Sequence, residues 1–85
     1  MAELEIGKVT HYFGHIGVAA IEITSGELAV GDTIHVKGHT SDFTDTVQSM
    51  QVEHDKVDVA KKGDKIGIKV SQHAREHDVV FKVTP

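Results

Sequence analysis

Histidine is the side chain best suited to chemistry near neutral pH, as base, acid or metal ligand. This 85-residue chain carries seven of them. Six fall in pairs four residues apart: His11/His15, His35/His39 and His73/His77. On a helix that spacing sets two imidazoles on one face, where they can share an ion. On a strand it spans about 13 Å, too far for one metal. The first two pairs fall around strand ends and turns and read as solvated surface side chains. His73 and His77 lie in a polar stretch that could curl, and they are the weak metal candidates, with Glu76 or Asp78 as an added ligand. No metal or other cofactor is otherwise expected.

Other chemistry is thinly supported. Serines 25, 41, 49 and 71 are present, but no Gly-x-Ser-x-Gly elbow exposes one of them. No pair of carboxylates is set apart by an apolar surrounding that would split their pKa values. The chain therefore reads as non-enzymatic. Lys56, Lys61, Lys62, Lys65 and Lys69 concentrate positive charge in one stretch, interleaved with Glu53, Asp55, Asp58 and Asp64. With Gln51 and His54 nearby they could form a basic edge on a protein whose net charge is −4. That acidic balance argues against generic nucleic-acid binding, which is driven by neutralising phosphates. Tyr12, Phe13 and Phe43 could stack on bases if exposed, although the few aromatics of a small domain belong mostly to its core.

These side chains must be positioned by strands. Val and Ile number 19 together against 2 Leu, and β-branched residues suit a pleated sheet better than a helix. Turn signals cut the chain into six strand-sized pieces. The first runs from about Glu3 to Phe13, with Gly14 able to take positive φ in the turn that follows. The second, from Ile16 to Ile23, sets Ala19, Ile21 and Ile23 on one face. The third alternates Ile34 and Val36 with polar neighbours, and the fourth runs from about Phe43 to His54. Val57 to Gly63 reads as a short helical turn. Ile66, Ile68 and Val70 share a face of the fifth strand, and Val79, Phe81 and Val83 share one of the last. The longest apolar-or-glycine run, Ile16 to Ile21, is far short of the ~20 residues of a membrane helix. The N-terminus lacks the basic start and apolar stretch of a signal peptide. There is no cysteine, and the cytosol is the expected compartment.

The run Gly26-Glu27-Leu28-Ala29-Val30-Gly31-Asp32-Thr33-Ile34-His35-Val36 resembles the second-domain β-barrel of translational GTPases. Ser49-Met50-Gln51, followed by Val59-Ala60-Lys61-Lys62-Gly63-Asp64-Lys65-Ile66-Gly67-Ile68, is similar to that family's strand, loop and Ala-x-x-Gly-Asp-x-x-Gly turn. Arg75-Glu76-His77-Asp78 resembles its closing Arg-x-Gly-Asp, with His77 where a glycine is common. The resemblance runs from Ile6 to Val83. It implies an all-β fold: a small closed six-stranded, Greek-key-like β-barrel of the translation-factor domain 2 type. Residues 1–85 would be one such domain, a free-standing elongation factor-like protein.

No Gly-x-x-x-x-Gly-Lys-[Ser/Thr] loop is present, so no nucleotide is bound, and Asp64-Lys65-Ile66-Gly67 matches the Asp-x-x-Gly of GTPases by chance. In elongation factor Tu this barrel holds the 3′ end of aminoacyl-tRNA with a Glu, an Arg and an Asn. The matching positions here are Gln51, His54 and Lys65, all three different. Barrels of this type also occur in reductases and as appendages of peptidases. The resemblance implies a binding module that contacts tRNA or the ribosome through Gln51, His54, Lys61, Lys62 and Lys65. The alternative is a protein-interaction module with no RNA role, and neither reading involves a membrane.

Overall fold

The computed structural model describes residues 2–53 and 55–84. They form ten strands: β1 (Ala2–Phe13), β2 (Val18–Ile23), β3 (Glu27–Ala29), β4 (Thr33–Lys37), β5 (Asp42–Thr46), β6 (Met50–Val52), β7 (Asp55–Val57), β8 (Val59–Lys61), β9 (Lys65–Lys69) and β10 (Val79–Thr84). Among the described residues there is no helix, and so none long and apolar enough to cross a membrane. Eight strands make one sheet in the order β5-β4-β10-β1-β2-β9-β6-β7, and β3 pairs with β8 as a separate ribbon. All pairings are antiparallel. The all-β expectation stands, with more and shorter strands than the six read from the sequence.

The expected closed barrel is corrected. No ladder joins β5 to β6 or β7 among the described residues, so the hydrogen-bonded sheet stays open. The backbone at Val47, which would have to carry a closing ladder onward from β5, is taken by the turn at Gly31 and Asp32. Val47 N donates to the Asp32 carbonyl at 2.8 Å, and Gly31 N donates to the Val47 carbonyl at 2.8 Å. The sheet is nevertheless rolled. Only three residues separate β5 from β6, so these remote strands lie within about 14 Å of each other, the reach of four extended residues. Asp45 of β5 also accepts hydrogen bonds from Ser71 N (2.7 Å) and Ser71 Oγ (2.9 Å), just beyond β9. The thinnest dimension of the molecule, 20 Å, is too great for a single flat layer.

The inner surface of the roll is the core. Ala19, Ile21 and Ile23 of β2, Ile34 and Val36 of β4, and Ile66 and Ile68 of β9 are buried as their alternation predicts, and Val70 follows on the same side. Leu28 and Ala60, from the ribbon, are fully covered. On β10 the phase is reversed. Val80 is the buried residue, whereas Val79, Phe81 and Val83 are half-buried on the opposite face. A one-residue shift inverts every side chain of a strand, and Lys82, on the Val80 side, reaches Asp32 at 3.2 Å. The helical turn expected over 57–63 is instead β8 and its turn, with Val59–Lys61 paired to Glu27–Ala29. The strand read over 43–54 is split into β5 and β6.

Three turns repeat one piece of chemistry. Asp32, Asp64 and Asp78 each accept a hydrogen bond on Oδ2 from the amide three residues earlier, at 2.8, 2.9 and 2.9 Å. Each donates its own amide to the carbonyl of that same residue. The preceding residues, Gly31, Gly63 and His77, have φ of 97°, 96° and 75°. The Gly-Asp pairs thus act as turn closures, as their residue types predict. In the β1–β2 turn the positive φ falls on Gly17 rather than Gly14. His77 holds the left-handed conformation without glycine's freedom, at a cost of about 1–2 kcal/mol. His77→Gly is expected to stabilise the fold by about 0.5–1 kcal/mol net, because glycine's extra unfolded-state entropy offsets part of the relief. Thermal unfolding should show a midpoint raised by about 2–8 °C.

Candidate functional site

The outer face of a half-buried strand should be polar, but the Ile16–Ile21 run is apolar on both faces. Val18 and Ala20 alternate with the core-directed residues of β2, so they line the outside of the sheet, and Ile16 joins them from the β1–β2 turn. There the ladder aligns Ala20 with Gly67 and Gly67 with Gln51, which gives a cross-strand row of small residues ending in an amide. Around this row lies a groove of about 410 Å³, open to solvent. Phe13, Ile16 and Val18 form one wall, and Gln51, Glu53 and Lys65 line the other. Phe13 is 47% exposed and Ile16 62%, large values for residues of this size. Both flank the β1–β2 turn, where Ile16 N and Gly17 N donate to the Phe13 carbonyl at 3.2 and 2.9 Å.

Of the residues singled out from the sequence, Gln51 and Lys65 come together in this groove. Lys61 lies on β8, opposite Glu27, and Lys62 in the turn after it; neither lines the groove. His54 lies outside the described residues. The lysine stretch is spread over β7, β8 and β9, so the groove meets Lys65 together with the acid Glu53 rather than a basic edge. Phe43 is core and Tyr12 half-buried, whereas Phe13 is the exposed aromatic. The sequence reasoning passed over Ile16, Val18 and Glu53. The signal that could have found the first two is the missing polar phase of β2.

Four histidines are engaged in the fold: His11, His35, His73 and His77. His73 stacks on Tyr12 with ring centroids 4.4 Å apart, beside a smaller cleft that also involves His11 and Arg75. His11 Nδ1 lies 3.6 Å from Glu76, and its ring meets Phe13 edge-on at 4.6 Å. His77 carries the turn described above. Among the described residues no group of three or more His, Cys, Asp or Glu gathers as a metal-ligand set. His35 is held on both nitrogens: Nδ1 lies 2.9 Å from Glu3 Oε1 and Nε2 2.5 Å from Asp42 Oδ1. These carboxylates raise the imidazole pKa, Asp42 by hydrogen bonding most and Glu3 next, against a smaller opposing effect of desolvation.

No protein-family model matches the chain. Individual relatives do. Over 80 residues it is 39% identical to an uncharacterized protease of Methanocaldococcus jannaschii. It is 36% and 37% identical, over 81 and 78 residues, to two collagenases of Porphyromonas gingivalis. These alignments cover 93%, 94% and 91% of this chain but only 19%, 20% and 22% of the relatives, so the chain spans about a fifth of their length. Among solved structures, the C-terminal domain of a candidate U32 peptidase of Geobacillus thermoleovorans has the same fold. Its TM-score is 0.88 at 19% identity, over 95% of this chain and 93% of that one. The selenomethionine variant of that domain gives 0.84 at 19% identity, over 89% and 95%.

These findings overturn the elongation-factor resemblance and the tRNA- or ribosome-binding module drawn from it. The matching residues were mostly turn residues, and the three Asp turns show that they answer a local geometric need, not a ligand. The expectation of a non-enzymatic chain falls with it, because the relatives are named as a protease and collagenases.

Proposed function

We propose that this chain serves peptide-bond hydrolysis as the polypeptide-holding domain of a U32-type peptidase, with residues 1–85 acting as one domain. The carrying observation is the open apolar groove between Phe13–Ile16–Val18 and Gln51–Glu53–Lys65. An apolar wall facing amide and charged groups suits a peptide chain, which presents apolar side chains beside polar backbone. The names of the relatives support the same substrate class, collagen included. A chain without cysteine gains nothing from an oxidising compartment, which supports the cytosol as its place.

Denatured collagen is the probe. The unaltered chain should bind it, followed by titration with NMR detection of the β1–β2 turn amides. Ile16→Asp should weaken binding by about tenfold or more, since burying an Ile side chain is worth roughly 1.5–3 kcal/mol and 1.4 kcal/mol is tenfold. Its unfolding midpoint should stay close to that of the parent, because Ile16 is exposed. No binding by the unaltered chain would overturn the reading.

A further inference from the structure

The three Asp-closed turns share one geometry, so two of them serve as controls for the third. In the turns ending at Asp32 and Asp64 the first residue is also a ladder residue: Ala29 pairs with Val59, and Lys61 with Glu27. Arg75 opens the turn ending at Asp78 and belongs to no strand. The turn uses its amide and its carbonyl and gives its side chain no structural duty. Arg75 is the single arginine of the chain, and among the described residues its guanidinium takes part in no ion pair. The acids nearest to it in sequence are engaged elsewhere. Asp78 is buried and closes the turn, and Glu76 lies 3.6 Å from His11 Nδ1. Arg75 instead lines a cleft of about 210 Å³ with His11, Tyr12, His73 and Glu76. The walls of that cleft are fixed. Ala74 is fully buried on one side of Arg75 and Asp78 is buried on the other, and His73 stacks at 4.4 Å on Tyr12, which packs against the core.

We infer that this cleft binds a carboxylate through Arg75, and that the carboxylate is the free C-terminal end of a polypeptide. The guanidinium presents paired N–H donors whose spacing matches the two oxygens of a carboxylate. His11 and His73 each carry a ring N–H in either charge state, so they add donors from both sides. Glu76 limits the charge that enters: a doubly charged group such as a phosphate meets more repulsion from it than a single carboxylate does. The C-terminal assignment rests on the polypeptide-holding reading and deepens it. The His11 ring meets Phe13 edge-on at 4.6 Å, and Phe13 is a wall of the groove. A chain lying along that wall reaches the rim of the cleft, at His11, within about two residues, since each extended residue spans about 3.3–3.6 Å. An internal stretch of polypeptide offers the cleft only a neutral amide. Hydrolysis of a peptide bond leaves a new carboxylate at the cut, so this cleft distinguishes a cut chain from an intact one.

An N-acetylated octapeptide of alternating leucine and serine tests this, made once with a free C-terminus and once with a C-terminal amide. Each is titrated into the unaltered chain at low salt and followed by the NMR signals of the Arg75 side chain and the His11 and His73 rings. The free acid should bind about fivefold or more tightly than the amide, the upper range for an exposed but bidentate ion pair. Arg75→Gln should bind both forms equally while unfolding at the parent's midpoint, because Arg75 is exposed. Glu76→Gln, which removes the repelling charge, should tighten the free acid and leave the amide unchanged. Equal affinity for the two forms, or a preference that survives Arg75→Gln, would overturn the inference. A third peptide, amidated and carrying one internal aspartate, separates the sources of the carboxylate: if it binds at Arg75 as tightly as the free acid, the C-terminal assignment falls. If denatured collagen still binds and Ile16→Asp still weakens that binding, the polypeptide-holding reading survives such a failure. If the unaltered chain binds neither collagen nor any of the peptides, both fall.

Discussion

Alanine at position 7 is expected to destabilise the chain by about 3 kcal/mol or more, from a single added methyl group. Gly7 is buried in β1, at the bulge where that strand changes register between Glu5 and Gly7 against β10. Its missing Cβ would fall on the carbonyl oxygen of Glu22, in the paired strand β2, and within 3.3 Å of the Ile21 side chain. A carbonyl held in a ladder cannot rotate aside as a side-chain tip can. Relief therefore requires β1 and β2 to separate, and these strands carry Val9, Ile21 and Ile23 of the core. Overpacking alone costs about 1–3 kcal/mol, and each strained ladder hydrogen bond adds roughly 1 kcal/mol. Against a total stability of about 5–15 kcal/mol, this is a large share. Chemical denaturation should show a lowered midpoint with an unchanged slope. A midpoint equal to the parent's would mean that β1 and β2 do not approach this closely.

How far the sequence carries depends on which residues are asked. The inward faces of β2, β4 and β9 were legible because one face is buried and alternation has a definite phase there. On β10 the phase was hidden. Val79, Val80 and Phe81 are all apolar, and the outer face of Phe81 is partly covered by His35, whose ring centroid lies 6.1 Å away. Residues 57–63 have no periodicity of their own. Their strand exists because Val59–Lys61 find Glu27–Ala29 thirty or more positions earlier, a pairing that no local pattern encodes. The Gly-Asp turns were read correctly as turns. They misled as a mark of function, because a turn that solves a local geometry recurs wherever that geometry does, and fold alone does not assign function. Of the residues lining the groove, Gln51 and Lys65 were singled out from the sequence, through a resemblance that did not hold. The apolar wall went unread, since Ile16, Val18 and Ala20 look like core until the pairing shows them on the outside.

The chain should lose stability as pH rises above about 6.5, and His35 should account for most of that slope. The imidazole joins four strands: it stands on β4, takes Glu3 from β1 on one nitrogen and Asp42 from β5 on the other, and lies over Phe81 of β10. With an acceptor at each nitrogen the doubly protonated ring is favoured, and its pKa is raised above 6.5. A group whose pKa is higher folded than unfolded binds protons more tightly in the native state. Its contribution is complete below 6.5 and is lost as pH climbs through the raised folded value. Asp42 limits the other side. The His35 hydrogen bond, the largest cause, holds its pKa below 3.8, so its contribution is present above 3.8 and fades as pH falls through the lowered value. The clip is therefore strongest between about pH 4 and 6.5. Thermal unfolding from pH 4 to 9 should give a midpoint that is level across this window and declines above it. In His35→Gln the decline above about pH 6.5 should flatten. In Asp42→Asn, which removes the stronger partner, the decline should shrink and end at lower pH. Because β5 is an edge strand tied to the far side of the roll through Asp45 and Ser71, loosening the clip should show first as faster amide exchange in β5 and at Ser71. An unchanged pH profile in His35→Gln would overturn this account of the slope.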